Sequence, residues 1–281
     1  MLPVFRREYI TNLSVMRKFI SLLLLFLPLQ AFSQGWPELP ATKPGLTVVT
    51  HKATLGGHNM RSFTVGYDRS LRVALWVAYP LNAALIGEGS RGEGWHPSEL
   101  LPEKDQAILY KGFFYGSNYD RGHQIPSADR LDPQANDQTF TFINATPQLH
   151  DFNGGIWAEL EKVVRTWAKR SDTLYVVTGI IPGKETINDN KGNPVNIPSA
   201  YWKAVLRKNT DKTGKVHWSS CAVLLPHRVF NKGTWQENLA FFREQAITIG
   251  NLEELLGYRL FKNSENVDRQ ADPARDAWWW K

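Results

Sequence analysis

Three consecutive strings carry most of the chemistry in this chain. The first is Asp120-Arg121-Gly122-His123-Gln124-Ile125-Pro126-Ser127-Ala128-Asp129, the second Asn144-Ala145-Thr146-Pro147-Gln148, and the third Asp151-Phe152-Asn153-Gly154-Gly155-Ile156-Trp157 with Leu160-Glu161. His123 can be neutral near pH 7 and so can take a proton. Arg121 offers a fixed fork of donors suited to phosphate oxygens. On an extended strand residues two apart project from one face, so a base and an anion clamp would share one surface. Asn153 heads the apolar stripe of a following helix, and Glu161 lies eight positions on, about 80° around the axis and ~12 Å along it. Helical side chains lean towards the N-terminus, so both can approach one site. An amide oxygen and a carboxylate are hard ligands that suit magnesium, an ion that keeps several of its own waters. Softer metals would prefer His and Cys clusters, and the single cysteine, Cys221, excludes a four-cysteine zinc site and any intrachain disulfide. Bland roles stay open at this stage: Asn153 as a helix cap, Glu161 as a solvated helix residue, Arg72 as a hairpin surface charge.

Around this core the pattern is that of one α+β domain, mainly antiparallel sheet flanked by helices. Residues 62–67 and 72–79 are β-prone and separated by Asp68-Arg69-Ser70-Leu71, as in a hairpin. Residues 34–59 read as a Pro- and Gly-rich lead-in with one strand at 46–50. The segment 87–106 reads as a long surface loop, a kind of loop that often carries function. From Asn153 the apolar period becomes helical, with Trp157, Leu160, Val164 and Trp167 on one side and Asp151 as the expected cap. Strands are expected at 174–179, 202–207 and 216–225, a polar loop at 183–199, and helices at 235–246 and 252–256. Residues 271–281, with Trp278, Trp279 and Trp280, read as a tail without obvious structure.

The N-terminus has its own pattern. Arg17 and Lys18 precede an eleven-residue run, 19–29, that is apolar but for Ser21 and Pro28, and Ala31-Phe32-Ser33 supplies small residues at alternate positions. This is the arrangement of a secretory signal at 1–33, with Met16 as an alternative start. Eleven residues fall short of the about 20 that span a bilayer. A secreted or periplasmic protein with no membrane anchor after signal removal is therefore expected. The chain carries 33 Lys and Arg against 27 Asp and Glu, a net +6. Four basic residues and one acidic residue sit in 1–33, which leaves 29 against 26, a net +3, in 34–281. That charge suits a local basic groove for nucleic acid and an ordinary soluble protein equally. Composition, 42% hydrophobic and 21% charged, excludes a disordered or collagen-like chain.

Taken in order and at this spacing, the three strings resemble the DNA/RNA non-specific endonuclease family, whose members carry a ββα-metal, or His-Me finger, active site. Weaker similarity extends from the hairpin at 72–79 through 176–179 and Trp202-Lys203 to 252–261. The resemblance implies that His123 is the general base that activates water, and that Asn153 is the direct protein ligand of Mg2+, with Mn2+ able to substitute. It implies that Glu161 holds metal-bound water, that Arg121 and Arg72 lie near the scissile phosphate, and that Asn144 and Gln148 are polar residues supporting the site. The implied substrates are DNA and RNA, single- or double-stranded, and the implied products are 5′-phosphorylated. The chain departs from some relatives in lacking disulfide cysteines, and the 87–106 loop and the tryptophan tail have no evident counterpart. A catalytically silent extracellular module that binds nucleic acid or another polyanion on the same scaffold is the competing expectation.

Overall fold

A computed structural model describes residues 35–110 and 117–281; the expected signal segment at 1–33 lies outside the described residues. Seven strands form one antiparallel sheet in the order β1-β2-β3-β6-β7-β8-β9: β1 Leu46–Leu55, β2 His58–Asp68, β3 Val73–Leu81, β6 Thr173–Asn188, β7 Pro194–Thr210, β8 Val216–Pro226 and β9 Ala246–Ile247. A separate two-stranded ribbon, β4 Tyr119–His123 with β5 Ala145–Leu149, stands apart from it. The expected mainly antiparallel α+β fold is what the chain adopts.

The central strands are buried along nearly their whole length. Phe63, Val65 and Tyr67 of β2 and Ala74, Trp76, Val77 and Tyr79 of β3 all join the core, which is why this hairpin was the most legible strand pair. Two segments are more extended than expected: the strand expected at 46–50 runs on to Leu55, and the loop expected at 183–199 is mostly strand. Residues 46–55 pair along their whole length with 58–68 around Gly56-Gly57, both at positive φ. The expected loop at 183–199 is the distal part of the β6–β7 hairpin, with Ile187 paired to Val195 and only 189–193 turning. Their polar alternation marks strands wet on one face, a weaker signal than a continuous apolar run.

Helix α1 (Pro133–Thr139) packs over β1, and α2 (Ala158–Lys169) buries Leu160, Val164 and Trp167 as its apolar period requires. The backbone enters α2 through an α turn, His150–Phe152, and a π turn, Asn153–Trp157, in which Gly155 leaves helical geometry. Asp151 lies inside the first turn and caps nothing; Leu149 holds the N-cap position without a side-chain bond. Helices α3 (Trp235–Glu244) and α4 (Ile249–Leu256) are closed at their starts by Thr234 and Thr248. Residues 271–281 are no loose tail: Trp279 is fully buried, its ring 4.8 Å from Trp167, whose indole N–H donates to the Trp279 carbonyl at 2.7 Å. No helix among the described residues is long and apolar enough to cross a membrane.

Candidate active site

The ribbon delivers His123 and Arg121. Its register pairs Arg121 with Pro147 and His123 with Ala145. Just beyond His123 the chain is fixed by Asn144, whose buried amide accepts from the Ile125 N–H at 3.0 Å and donates to the carbonyls of Ile125 and Thr139. Gly122 is required by close approach: a Cβ there would stand 2.2 Å from Oε1 and 2.5 Å from Cβ of the buried Gln148.

His123 is only 9% exposed, and its ring is packed by Trp95 at 4.4 Å and by the edge of Phe140 at 5.0 Å. Its buried Nε2 has no hydrogen-bond partner among the described residues. Burial, reinforced by the charges of Arg91 and Arg121, lowers its pKa from 6.5 to about 3, so the imidazole is neutral with a lone pair to offer.

The π turn and α2 deliver the other half. The Asn153 amide nitrogen donates to Asp120 Oδ2 at 2.9 Å, and the same carboxylate is held by His150 Nδ1 at 3.0 Å. With its nitrogen committed to Asp120, Asn153 keeps its oxygen as the amide atom suited to ligate a cation in the cavity it lines. One turn inside α2, burial raises the pKa of Glu161 to about 7 against the opposing charges of Lys203 and Arg165. Beneath it Asp129 accepts from the Tyr79 hydroxyl and from Arg165, both at 2.9 Å.

These side chains meet. A cavity of 240 Å3 is lined by Arg91, Arg121, His123, Ser127, Asn153 and Glu161, with Pro126, Ala128, Gly154 and Ala158 completing its wall. A larger groove of 640 Å3 between α3 and the C-terminal segment contains no histidine. Of the residues singled out in the sequence, four therefore share one cavity and three do not line it. Asn144 and Gln148 are buried in the ribbon behind it. Arg72 sits in the β2–β3 turn at φ 55°, its guanidinium donating to the carbonyls of Gln106 and, at 2.9 Å, Lys104. In this structure Arg72 ties down the end of the 87–106 loop and does not point at the cavity.

Sequence reasoning missed Arg91, Trp95 and Phe140. Arg91 and Trp95 reach the site because His96 bridges to Thr141 and the Gly92 N–H donates to Asn136, which folds the long loop against α1 and the cavity, and Phe140 directly follows α1. The only sequence signal was an arginine and a tryptophan in an otherwise Gly-rich loop. Asp120 stood in the first string without a role, and its tie to Asn153 supplies one.

The donor set fits a hard divalent cation. Among the described residues no cluster of three or more His, Cys, Asp or Glu side chains is placed to hold a metal. The cavity wall instead offers one amide oxygen, on a side chain held by Asp120, and one carboxylate with no hydrogen bond among the described residues. That sparse oxygen set matches an ion that keeps most of its waters.

The sequence profile described as DNA/RNA non-specific endonuclease matches residues 45–267. A nuclease of Nostoc sp. is 29% identical over 220 residues, covering 76% of each chain. Nuclease C1 of Cunninghamella echinulata is 32% identical over 187 residues, which cover 62% of this chain and 72% of that one. Mitochondrial endonuclease G of Bos taurus is 31% identical, but the match spans only 52% of each. The crystal structure of EndoG complexed with EndoGI superimposes with a TM-score of 0.59 at 21% identity over 84% of this chain and 91% of that chain, a likeness of fold. The ribbon, the helix behind it and the profile match over most of the sequence together place this chain in the DNA/RNA non-specific endonuclease family.

Proposed function

We propose that this chain is an exported, divalent-metal-dependent nuclease that hydrolyses phosphodiester bonds in both DNA and RNA and leaves 5′-phosphate ends. The observation that carries the reading is the shared cavity: His123 arrives from the ribbon, and Asn153 and Glu161 arrive from the helix opposite. In-line displacement at phosphorus needs a base on the attacking side and neutralised charge around the phosphate.

The His123 imidazole takes a proton from water as the water oxygen forms a bond to phosphorus, and the bond from phosphorus to the 3′ oxygen breaks. The departing oxygen takes a proton from a second water molecule and becomes a 3′ hydroxyl, and the phosphate stays on the 5′ side. Arg91 and Arg121 hold the phosphate oxygens. Their charge also depresses the imidazole's basicity in the free protein, so a bound phosphodiester, by offsetting that charge, strengthens the base when substrate is present. Asn153 and Glu161 would hold the Mg2+ ion, which when bound places positive charge opposite the charge developing on phosphorus. Trp95 and Phe140 exclude bulk water from one side of the imidazole. Arg91 and Arg121 in the cavity are suited to phosphate oxygens, and contacts to phosphate rather than to base edges support cleavage without regard to sequence or sugar.

Digestion of single-stranded DNA, duplex DNA and RNA, followed by end-group analysis, tests the reading. Cleavage of all three with 5′-phosphate ends is expected. Ends bearing 3′-phosphate would contradict the assigned direction of displacement, and salt-sensitive binding without cleavage under Mg2+ or Mn2+ would favour the silent module. Export through 1–33 is tested by fractionation of cells expressing the full chain and one starting at Gln34; equal partition of both would remove the signal assignment.

A further inference from the structure

The ribbon carries the base and the helix carries the ligands for a cation, yet among the described residues the ribbon shares no strand pairing with the main sheet. Side chains fasten it. The Tyr201 hydroxyl from β7 hydrogen-bonds Thr146 Oγ1 at 3.0 Å and donates to the Pro147 carbonyl at 2.9 Å. At the far end of β5, where the chain leaves the ribbon for the helix, the Leu149 N–H donates to His227 Nε2 at 2.8 Å.

His227 opens the irregular segment between β8 and α3. Its Nδ1 is 2.8 Å from the Pro198 carbonyl, an oxygen that can only accept, so Nδ1 bears the hydrogen and Nε2 the lone pair that Leu149 uses. Its ring packs on Tyr201 at 4.9 Å and on Phe152, the residue before Asn153, at 5.4 Å. Farther along the same segment Phe230 faces Phe152, and Lys232 pairs with Glu159 on α2 at 2.9 Å. That ion pair is half exposed on the lysine side, and Glu159 also has Lys162 at 2.7 Å. Exposed, duplicated pairs contribute little. The half-buried imidazole, with both nitrogens committed, is the firmer fastening.

We infer that His227 is a positioning residue: it fixes the junction at 149–152 between the strand that aims His123 and the helix that aims Asn153 and Glu161. The inference rests on the nuclease reading for its kinetic consequence, and the structural consequence is independent of it. Loss of the brace leaves each half of the site intact but alters the distance between them. The turnover number then falls, while the Michaelis constant for DNA and the Mg2+ concentration at half-saturation change little. A misplacement near 1 Å can lower rates about a hundredfold.

The test compares H227F, H227N and H227Q with the full mature protein. Glutamine can present an acceptor oxygen where Nε2 stands, whereas asparagine reaches only as far as Nδ1. H227F and H227N should lose at least about tenfold in kcat with Michaelis and Mg2+ constants within about twofold, and H227Q should retain most of the rate. Amide hydrogen exchange at Leu149 should accelerate in H227F and H227N and stay slow in H227Q. Wild-type kcat in H227F, or equal losses in all three variants that track their melting temperatures, would overturn the positioning role. If the wild-type protein cleaves nothing, the nuclease reading fails, and Leu149 exchange still decides whether His227 holds the strand: unchanged exchange in H227F sinks the brace.

Discussion

Gly122→Ala offers a sharp test of how the ribbon is built. The added methyl would lie 2.5 Å from Gln148 Cβ and 2.7 Å from Gln148 Cδ, besides 2.2 Å from the amide oxygen. The oxygen can swing aside. The Cβ cannot move without β5, and non-bonded carbons settle at about 3.5–4.0 Å, so the strands must part by about 1 Å. Replacing glycine lowers the entropy of the unfolded chain, a gain of at most about 1 kcal/mol. Overpacking costs about 1–3 kcal/mol, so the clash wins. A chain of this size loses about 2–4 °C of Tm per kcal/mol, so a net cost of about 1–2 kcal/mol, once that gain is subtracted, gives an expected drop of about 2–8 °C. Because His123 is the next residue, plasmid cleavage should fall further than stability, by up to about a hundredfold. Scanning calorimetry and a nicking assay read the two effects. The double variant Gly122→Ala/Gln148→Gly removes the opposing Cβ and should recover stability relative to the sum of the single variants, with a coupling of about 1–3 kcal/mol. Wild-type melting of Gly122→Ala, or strict additivity in the cycle, would refute the close approach.

Trp279→Ala should destabilise by about 3–5 kcal/mol in urea titrations, the range for a fully buried tryptophan, whereas a loss below about 1 kcal/mol would mean the C-terminal segment is not part of the core. His51 is buried against Phe63, and burial, with His96 adding to it, lowers its pKa from 6.5 to about 4. The unfolded state therefore binds the extra proton first: the stabilisation is complete above pH 6.5 and is lost as pH falls towards 4, amounting to about 2 kcal/mol between pH 7.5 and 5. His51→Phe should flatten that part of the acid unfolding profile, and an unchanged slope would contradict the burial. Burial raises Glu161 to about 7, so kcat/KM should decline as pH falls through about 7, with a midpoint that moves lower as Mg2+ rises because a cation favours the carboxylate. A midpoint indifferent to Mg2+, or a Glu161→Gln variant with the same acid limb, would remove Glu161 from the metal site.

Legibility varied with the physical source of each feature. The period of Trp157, Leu160, Val164 and Trp167 is local and faces the core directly, so α2 could be read from the sequence. The hairpin of β2 and β3 is buried on both faces and stood out for the same reason. The extension of the first strand from 50 to Leu55 and the strand arms within 183–199 form through pairing with partners, and glycines, prolines and polar residues there masked them. The π turn could not be foreseen, since nothing in Gly154-Gly155 dictates its register. At the site, His123, Arg121, Asn153 and Glu161 were placed from spacing and resemblance and do share a cavity. Arg91 and Trp95 arrive through a long loop whose path depends on tertiary contacts at Asn136 and Thr141. A sequence pattern could show that Arg72 is charged and near a turn, and could not show that carbonyls of residues 104 and 106 would take its guanidinium.

The most direct measurement is plasmid cleavage by the wild-type protein, His123→Ala and Asn153→Ala across a Mg2+ titration ending in chelator. The wild type should cleave with Mg2+ and stop with chelator. His123→Ala should lose about 10²–10⁴ in rate, the usual contribution of a positioned base, with its Mg2+ half-saturation unchanged, while Asn153→Ala should need more Mg2+ to reach a lower rate. Wild-type cleavage by His123→Ala, or a Mg2+ titration unmoved by Asn153→Ala, would show that the imidazole and the cation do not act on one phosphodiester.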